Sequence, residues 1–224
     1  MIVFHHVSKT FPLGTVALDN VSFTIAKNEF VFLTGTSGAG KTTIIKLIPR
    51  FLTPTSGKIT VDGVIISDKH FPHTEKLRQS IGVVFQDFKV LHENTVLENI
   101  ALALKVVKWD EHTMHDEVKR VLALVGLSSK EHLFPVQLSA GELQRVAIAR
   151  AICGDRHILL ADEPTGNLDP KTSWEIMGIF KKLSAKKTII IATHNVDIVS
   201  SLKKRVITLE KGRIIKDKKG GYDI

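Results

Sequence analysis

Three observations predict an α/β fold for this chain. A glycine-rich loop stands between an apolar strand and an apolar helix. A second apolar strand ends in two carboxylates, and short apolar runs alternate with helical patterns through the second half. The loop reads Gly35, Thr36, Ser37, Gly38, Ala39, Gly40, Lys41, Thr42, with Thr43 behind it. It follows the apolar run at 29–34 and precedes Ile44, Ile45, Leu47 and Ile48. Strand, glycine-rich loop and helix in that order form the context of a phosphate-binding loop. Its glycines let successive backbone N–H groups curl round phosphates at a helix N-terminus. Lys41 can then reach the β- and γ-phosphates, and the Thr42 hydroxyl can bind Mg²⁺. The loop predicts a nucleoside triphosphate site.

The elements follow in order. Residues 2–7 and 21–25 carry β-branched or aromatic residues in partial alternation, and 30–34 reads as a buried strand. Pro12, Gly14 and Asn28 punctuate them. A helix is expected over 41–50, a turn at 53–57 and a hairpin strand at 58–62. Residues 81–85 form another buried strand, ending at Gln86. Helical spacing then dominates, over 95–107, over 114–125 with Gly126 as C-cap, and from about Ser139 through Ala149. The core resumes with a strand at 157–161, a helix at 171–183, a strand at 188–192 and a short helix at 195–202. Two short strands are expected around Lys211 and Gly212, and the polar tail from Lys216 to Asp223 is expected to fray. The chain thus reads as one domain over 1–224, with a sheet-bearing core at 1–87 and 156–224 and a mainly helical insert at 88–155.

Composition narrows the class. With 31 Lys and Arg against 23 Asp and Glu, the 224-residue chain carries a formal charge of +8. That suits an anionic partner without choosing among nucleotide, acidic lipid and nucleic acid. The single Cys153 supports no disulfide framework and fits a reducing compartment. No apolar run approaches the roughly 18 uncharged residues of a membrane span. The N-terminus lacks the pattern of a signal peptide. An expected role at a membrane therefore needs a separate anchor.

Two further motifs carry chemistry. Residues 157–161 form an apolar strand delivering Asp162 and Glu163 at its C-terminal end, the edge where ligands sit in α/β sheets. Asp162 is placed to hold the hydration shell of Mg²⁺, and Glu163 to polarise an attacking water. Ser139, Ala140, Gly141 and Glu142 open a helix, with Ser139 as N-cap and Glu142 closing a capping box. Such a helix start can also be an anion site. His70 with His73, and His112 with His115, imitate metal pairs but have no Cys or His cluster beside them.

In these motifs the chain resembles the ATP-binding subunits of ABC systems over essentially its whole length. The resemblance implies a RecA-like core with an antiparallel β subdomain and a helical signature subdomain. Residues 35–42 would be the Walker A loop, 158–162 the Walker B strand, and 138–142 the signature that touches ATP bound to the other protomer of a head-to-tail homodimer. Glu163 would be the catalytic glutamate, Gln86 the Q-loop residue that with Thr42 and Asp162 completes the Mg²⁺ environment, directly or through water, Asp169 part of the D-loop and His194 the switch histidine. Phe11 would stack on adenine. Ala140 departs from the usual glycine and adds a methyl beside a phosphate contact. ATP would close the dimer and hydrolysis release it.

Within that family, several segments are similar to the cell-division ATPases of FtsE type, above all residues 86–91 after the Q-loop, with 95–100, 160–170, 192–195 and 220–222. This implies a polytopic partner of FtsX type at the inner face of the cell membrane, at the division septum. Through it, ATP-driven movement would reach peptidoglycan hydrolases or their activators outside. Residues 86–110, Phe88 in particular, are the expected docking surface. Lipoprotein-release and efflux ATPases share most of these motifs and stand as the alternative. A soluble module on DNA or the ribosome is a more distant one, and no nucleic acid is expected as partner. Basic runs at 181–182, 186–187, 203–205 and 216–219 read either as a solvated face or as a face towards anionic lipid.

Overall fold

The computed structural model describes residues 1–220. Two sheets organise it. The smaller is antiparallel, in the order β2-β1-β4-β5, from β1 (Ile2–Thr10), β2 (Val16–Ile25), β4 (Ser56–Val61) and β5 (Val64–Ile65). The larger runs β10-β9-β3-β8-β7-β6, from β3 (Phe30–Thr34), β6 (Ile81–Val84), β7 (Ile158–Asp162), β8 (Thr188–Ala192), β9 (Arg205–Glu210) and β10 (Arg213–Lys218). It is parallel except for the edge strand β10.

The central strands are apolar on both faces because both are covered, as in other parallel sheets. Phe30 and Phe32, Leu159 and Ala161, and Ile189 and Ile191 point to one side. There they meet α3 (Val96–Lys105), α4 (Glu111–Val125), α5 (Ala140–Ile152) and α6 (Pro170–Leu183). Val31 and Leu33, Ile158 and Leu160, and Ile190 and Ala192 point to the other side. These meet α1 (Lys41–Leu47) and the small sheet. The residues between 88 and 155 are mostly helical, and their apolar side chains share one continuous core with the larger sheet. Gly82 shows how close α5 comes to that sheet: a Cβ there would lie 1.9 Å from the carbonyl oxygen of Ala151.

The remaining helices are α2 (Thr74–Gln79) and α7 (Val196–Leu202), with short 3-10 turns at Ser128–Lys130 and Pro135–Gln137. Several boundaries differ from the sequence expectation. Strands β1 and β2 are longer than 2–7 and 21–25. Register shifts between Phe4 and Thr10 break the alternation that would have revealed them. Helix α1 stops at Leu47 rather than residue 50, since Pro49 has no N–H to continue the ladder. Helix α2 was not expected: it buries no residue, so it carries no periodic signal. Lys216, Asp217 and Lys218 do not fray but pair in β10, where Asp217 accepts two bonds from Arg205, each 2.7 Å. The expected tail resemblance at Gly221 and Tyr222 lies outside the described residues.

Candidate active site

Four segments leave the larger sheet at one edge. Leu33 pairs with Ala192, Ala192 with Asp162, and Ala161 with Val84, so β3, β8, β7 and β6 end at one level. Just beyond those ends come the glycine loop, His194, Glu163 and Gln86. Ligand sites of open α/β sheets lie at this carboxyl edge.

The loop is fixed by close approach. Gly35 (φ 138°) and Gly40 (φ 108°) both hold left-handed backbone. A Cβ on Gly35 would sit 2.2 Å from the carbonyl oxygen of Leu209, and one on Gly40 2.6 Å from that of Ala17. Lys41 is buried, and its ammonium donates to the carbonyls of Gly35 (2.8 Å) and Thr36 (3.0 Å) inside the curl.

Beside it, the Thr42 hydroxyl donates to Oδ1 of Asp162 at 3.0 Å. Burial raises the Asp162 carboxyl above the usual range, the Thr42 bond opposes this, and the neighbouring Glu163 charge adds to it. A partly buried carboxylate next to a hydroxyl oxygen fits a hard divalent cation such as Mg²⁺. Among the described residues no group of three or more His, Cys, Asp or Glu could cage a metal. The fit is thus to a cation that keeps water and phosphate oxygens as its other ligands.

Glu163 occupies left-handed backbone (φ 48°), a strained state for a non-glycine residue. Its amide donates to the Ala192 carbonyl (2.8 Å), and its own carbonyl accepts from the amide of Gly166 (3.1 Å). These bonds aim a largely buried carboxylate at His194, whose Nδ1 lies 2.9 Å from Oε1. Gln86 reaches Oδ1 of Asn167 at 3.4 Å through its amide nitrogen.

Around these groups opens a cleft of about 760 Å³, lined by residues 36–43 and by Phe11, Gln86, Glu163 and His194. Phe11 lies on the turn between β1 and β2, and the Lys9 ammonium stands 5.4 Å from its ring centre. Thr15, Val16 and Ala17 line the cleft as well. The sequence reading missed them, because neutral residues carry no motif and only the pairing of β1 with β2 brings them to the loop.

The other candidates are elsewhere. Ser139 caps α5 and Glu142 completes the capping box, its carboxylate held low first by Lys130 and then by the Ser139 amide. Ala140 is exposed. Gly141 is buried against α6, where a Cβ would meet Cγ2 of Thr172 at 2.4 Å. Asp169 caps α6, accepting from the Thr172 amide at 3.0 Å. None of Ser139, Ala140, Gly141, Glu142 or Asp169 lines the cleft.

The family profile described as ABC transporter matches residues 18–166. The cell division ATP-binding protein FtsE of Bacillus subtilis (strain 168) is 47% identical over 231 residues, covering 100% of both chains. The protein of the same name from Mycobacterium tuberculosis (strain ATCC 25618 / H37Rv) is 44% identical, over 99% of this chain and 97% of its own. Among solved structures, the dimeric structure of MJ0796, a bacterial ABC transporter cassette, matches with a TM-score of 0.88 and 35% identity over 98% of each chain. The chain belongs to the ABC transporter family, as an ATP-hydrolysing subunit related to FtsE.

Proposed function

We propose that two copies of this protein close head to tail on ATP, at the cytoplasmic face of the cell membrane, on a polytopic partner of FtsX type. Through that partner they drive peptidoglycan hydrolysis outside the cell during division. One observation carries the dimer. The cleft gathers Lys41, Thr42, Gln86, Glu163 and His194, while the helix start at Ser139 stays outside it. A second copy can supply that helix start to the triphosphate. The near-full-length likeness to FtsE supports the division role.

In this reading Lys41 and the loop amides hold the β- and γ-phosphates, and Phe11 stacks on adenine. Thr42 and Gln86, and Asp162 through water, would hold Mg²⁺. When bound, the ion neutralises charge on the phosphates. Glu163 takes a proton from water as the water oxygen bonds to the γ-phosphorus and the bond to the ADP oxygen breaks. His194 positions the Glu163 carboxylate and contacts the γ-phosphate. Ser139 and Gly141 of the second copy add amide dipoles on the transferring group, with Ala140, Glu142 and Asp169 supporting that face.

The docking surface for the partner lies within 86–110. Phe88 is half-buried against the core, so it is a support of that surface. Leu91, Leu102 and Val106 are the exposed apolar residues there. Contact with anionic lipid rests on exposed lysines such as Lys181, Lys182 and Lys203. Arg205 is engaged by Asp217 and Glu29, and the Lys187 ammonium by the Arg156 carbonyl.

Affinity capture of the Glu163→Gln form from crosslinked, detergent-solubilised host membranes tests the proposal. A multi-span permease with a large external domain, together with a wall hydrolase or its activator, is the expected catch. A substrate-carrying permease or an efflux adaptor in its place would move the protein to transport.

A further inference from the structure

A fully buried amide lies behind the strained residue of the ATP cleft. Gln144, on the second turn of α5, is 0% exposed. Its Nε2 donates to the carbonyl of Pro164 at 2.7 Å, and Pro164 follows Glu163 in the chain. Its Oε1 has no hydrogen-bond partner among the described residues.

An unpaired oxygen in a core lowers stability, and an unbranched apolar side chain of the same length would fill this place without it. The donor bond, rather than packing, therefore accounts for an amide here. That bond falls where the backbone most needs support. Glu163 holds a left-handed φ of 48°, a state that persists only when its surroundings fix it. Its amide is held by the Ala192 carbonyl of β8 at 2.8 Å, and its own carbonyl by the amide of Gly166 at 3.1 Å. Pro164 has no N–H, so its carbonyl is its one backbone group for a hydrogen bond. Gln144 takes that carbonyl from the side of α5. The strained turn is thus pinned to β8 by one bond and to α5 by another. Gln144 also lies three residues after Gly141, on the same face of the helix.

We infer that Gln144 is a positioning residue for Glu163. Its amide fixes the turn that aims the carboxylate into the cleft, and ties that turn to the helix whose start meets the ATP of the second copy. The tie to the second copy rests on the head-to-tail dimer proposed above. In such a dimer the base of each cleft is aligned by the helix engaged on the neighbouring ATP, so filling one site prepares the other.

Turnover by the protein purified with its membrane partner tests the inference. Gln144→Met keeps the length of the side chain and removes the donor. It should lower kcat about tenfold or more, the cost of slightly misplacing a reacting group, with KM for ATP within about twofold and the thermal midpoint little changed. Gln144→Asn, too short for the bond, serves the same reading where the Met form folds poorly. A kcat equal to the parent's, or a loss confined to KM, overturns the inference. Mixed dimers then locate the effect. Two differently tagged copies are co-expressed and captured through both tags, one carrying Glu163→Gln so that a single cleft turns over. Gln144→Met on the copy with the intact Glu163 should give the loss, and on the copy with Glu163→Gln it should give none. Loss only from the second placement, or equally from both, makes Gln144 a support of the α5 start and overturns its role toward Glu163. Capture of no mixed dimer in the presence of Mg·ATP contradicts the dimer itself, and the kcat of the uniform Met form still decides the positioning role.

Discussion

Asp162 is a residue where stability and catalysis pull in opposite directions. Its carboxyl is raised above the ordinary 3.8 by burial, so the folded chain holds this proton more tightly than the unfolded chain. Stability therefore falls as pH climbs from 3.8 through the raised value, and the deficit persists above it. Asp162→Asn should raise the thermal midpoint of the nucleotide-free protein at neutral pH, and the gain should vanish below pH 3.8. Melting curves across pH read this directly; an equal gain at every pH would remove titration as the cause. The neighbouring carboxylate behaves differently. Glu163→Gln should cut hydrolysis by roughly 10²- to 10⁴-fold, the usual worth of a general base, while ATP affinity is unchanged. Equal loss of binding and turnover would make Glu163 a ligand of ATP rather than a base. Much at this scale was legible in the sequence, because the glycine loop and the pair Asp162, Glu163 are contiguous and their chemistry dictates their residue types. The 2.9 Å contact of His194 with Glu163 was not, since it depends on how far β7 and β8 run before they end.

The element scale depends on close backbone packing. Gly82 on β6 faces the α5 backbone, and a methyl there would lie 1.9 Å from the Ala151 carbonyl oxygen. Gly82→Ala should cost about 3 kcal/mol, the upper end of ordinary overpacking, because backbone on both sides must move. Urea unfolding measures this, and a loss of under about 1 kcal/mol would show that α5 can slide on the sheet. Helices with strong end signals were read well from sequence. Ser139 with Glu142 caps α5, and Gly126 ends α4 in left-handed backbone as expected. Elements without a buried face were not. Helix α2 fully buries no residue and packs only Leu77 partly against the core, and β5 is two exposed residues, so neither leaves an apolar period to find. Strand β1 hid its second half behind bulges, one of them at His6 with φ 49°.

At the scale of the whole molecule, the large sheet supports a core on each face and brings the ends of β3, β6, β7 and β8 to one edge. That edge holds a cleft with Lys41, Thr42, Glu163 and His194 and without the α5 helix start. The sequence motifs announced all of these parts, but only the three-dimensional arrangement separates them into one set inside the cleft and another outside it. Gly141 could not serve the same chain's cleft without moving, since it is seated against Thr172 on α6. The α5 helix start must therefore come from a second copy, so ATP must make a dimer. Light scattering of the Glu163→Gln form tests this most directly. The predicted mass is near 24.8 kDa without nucleotide and about twice that with Mg·ATP. A particle of 24.8 kDa that has bound ATP stoichiometrically would contradict the shared site.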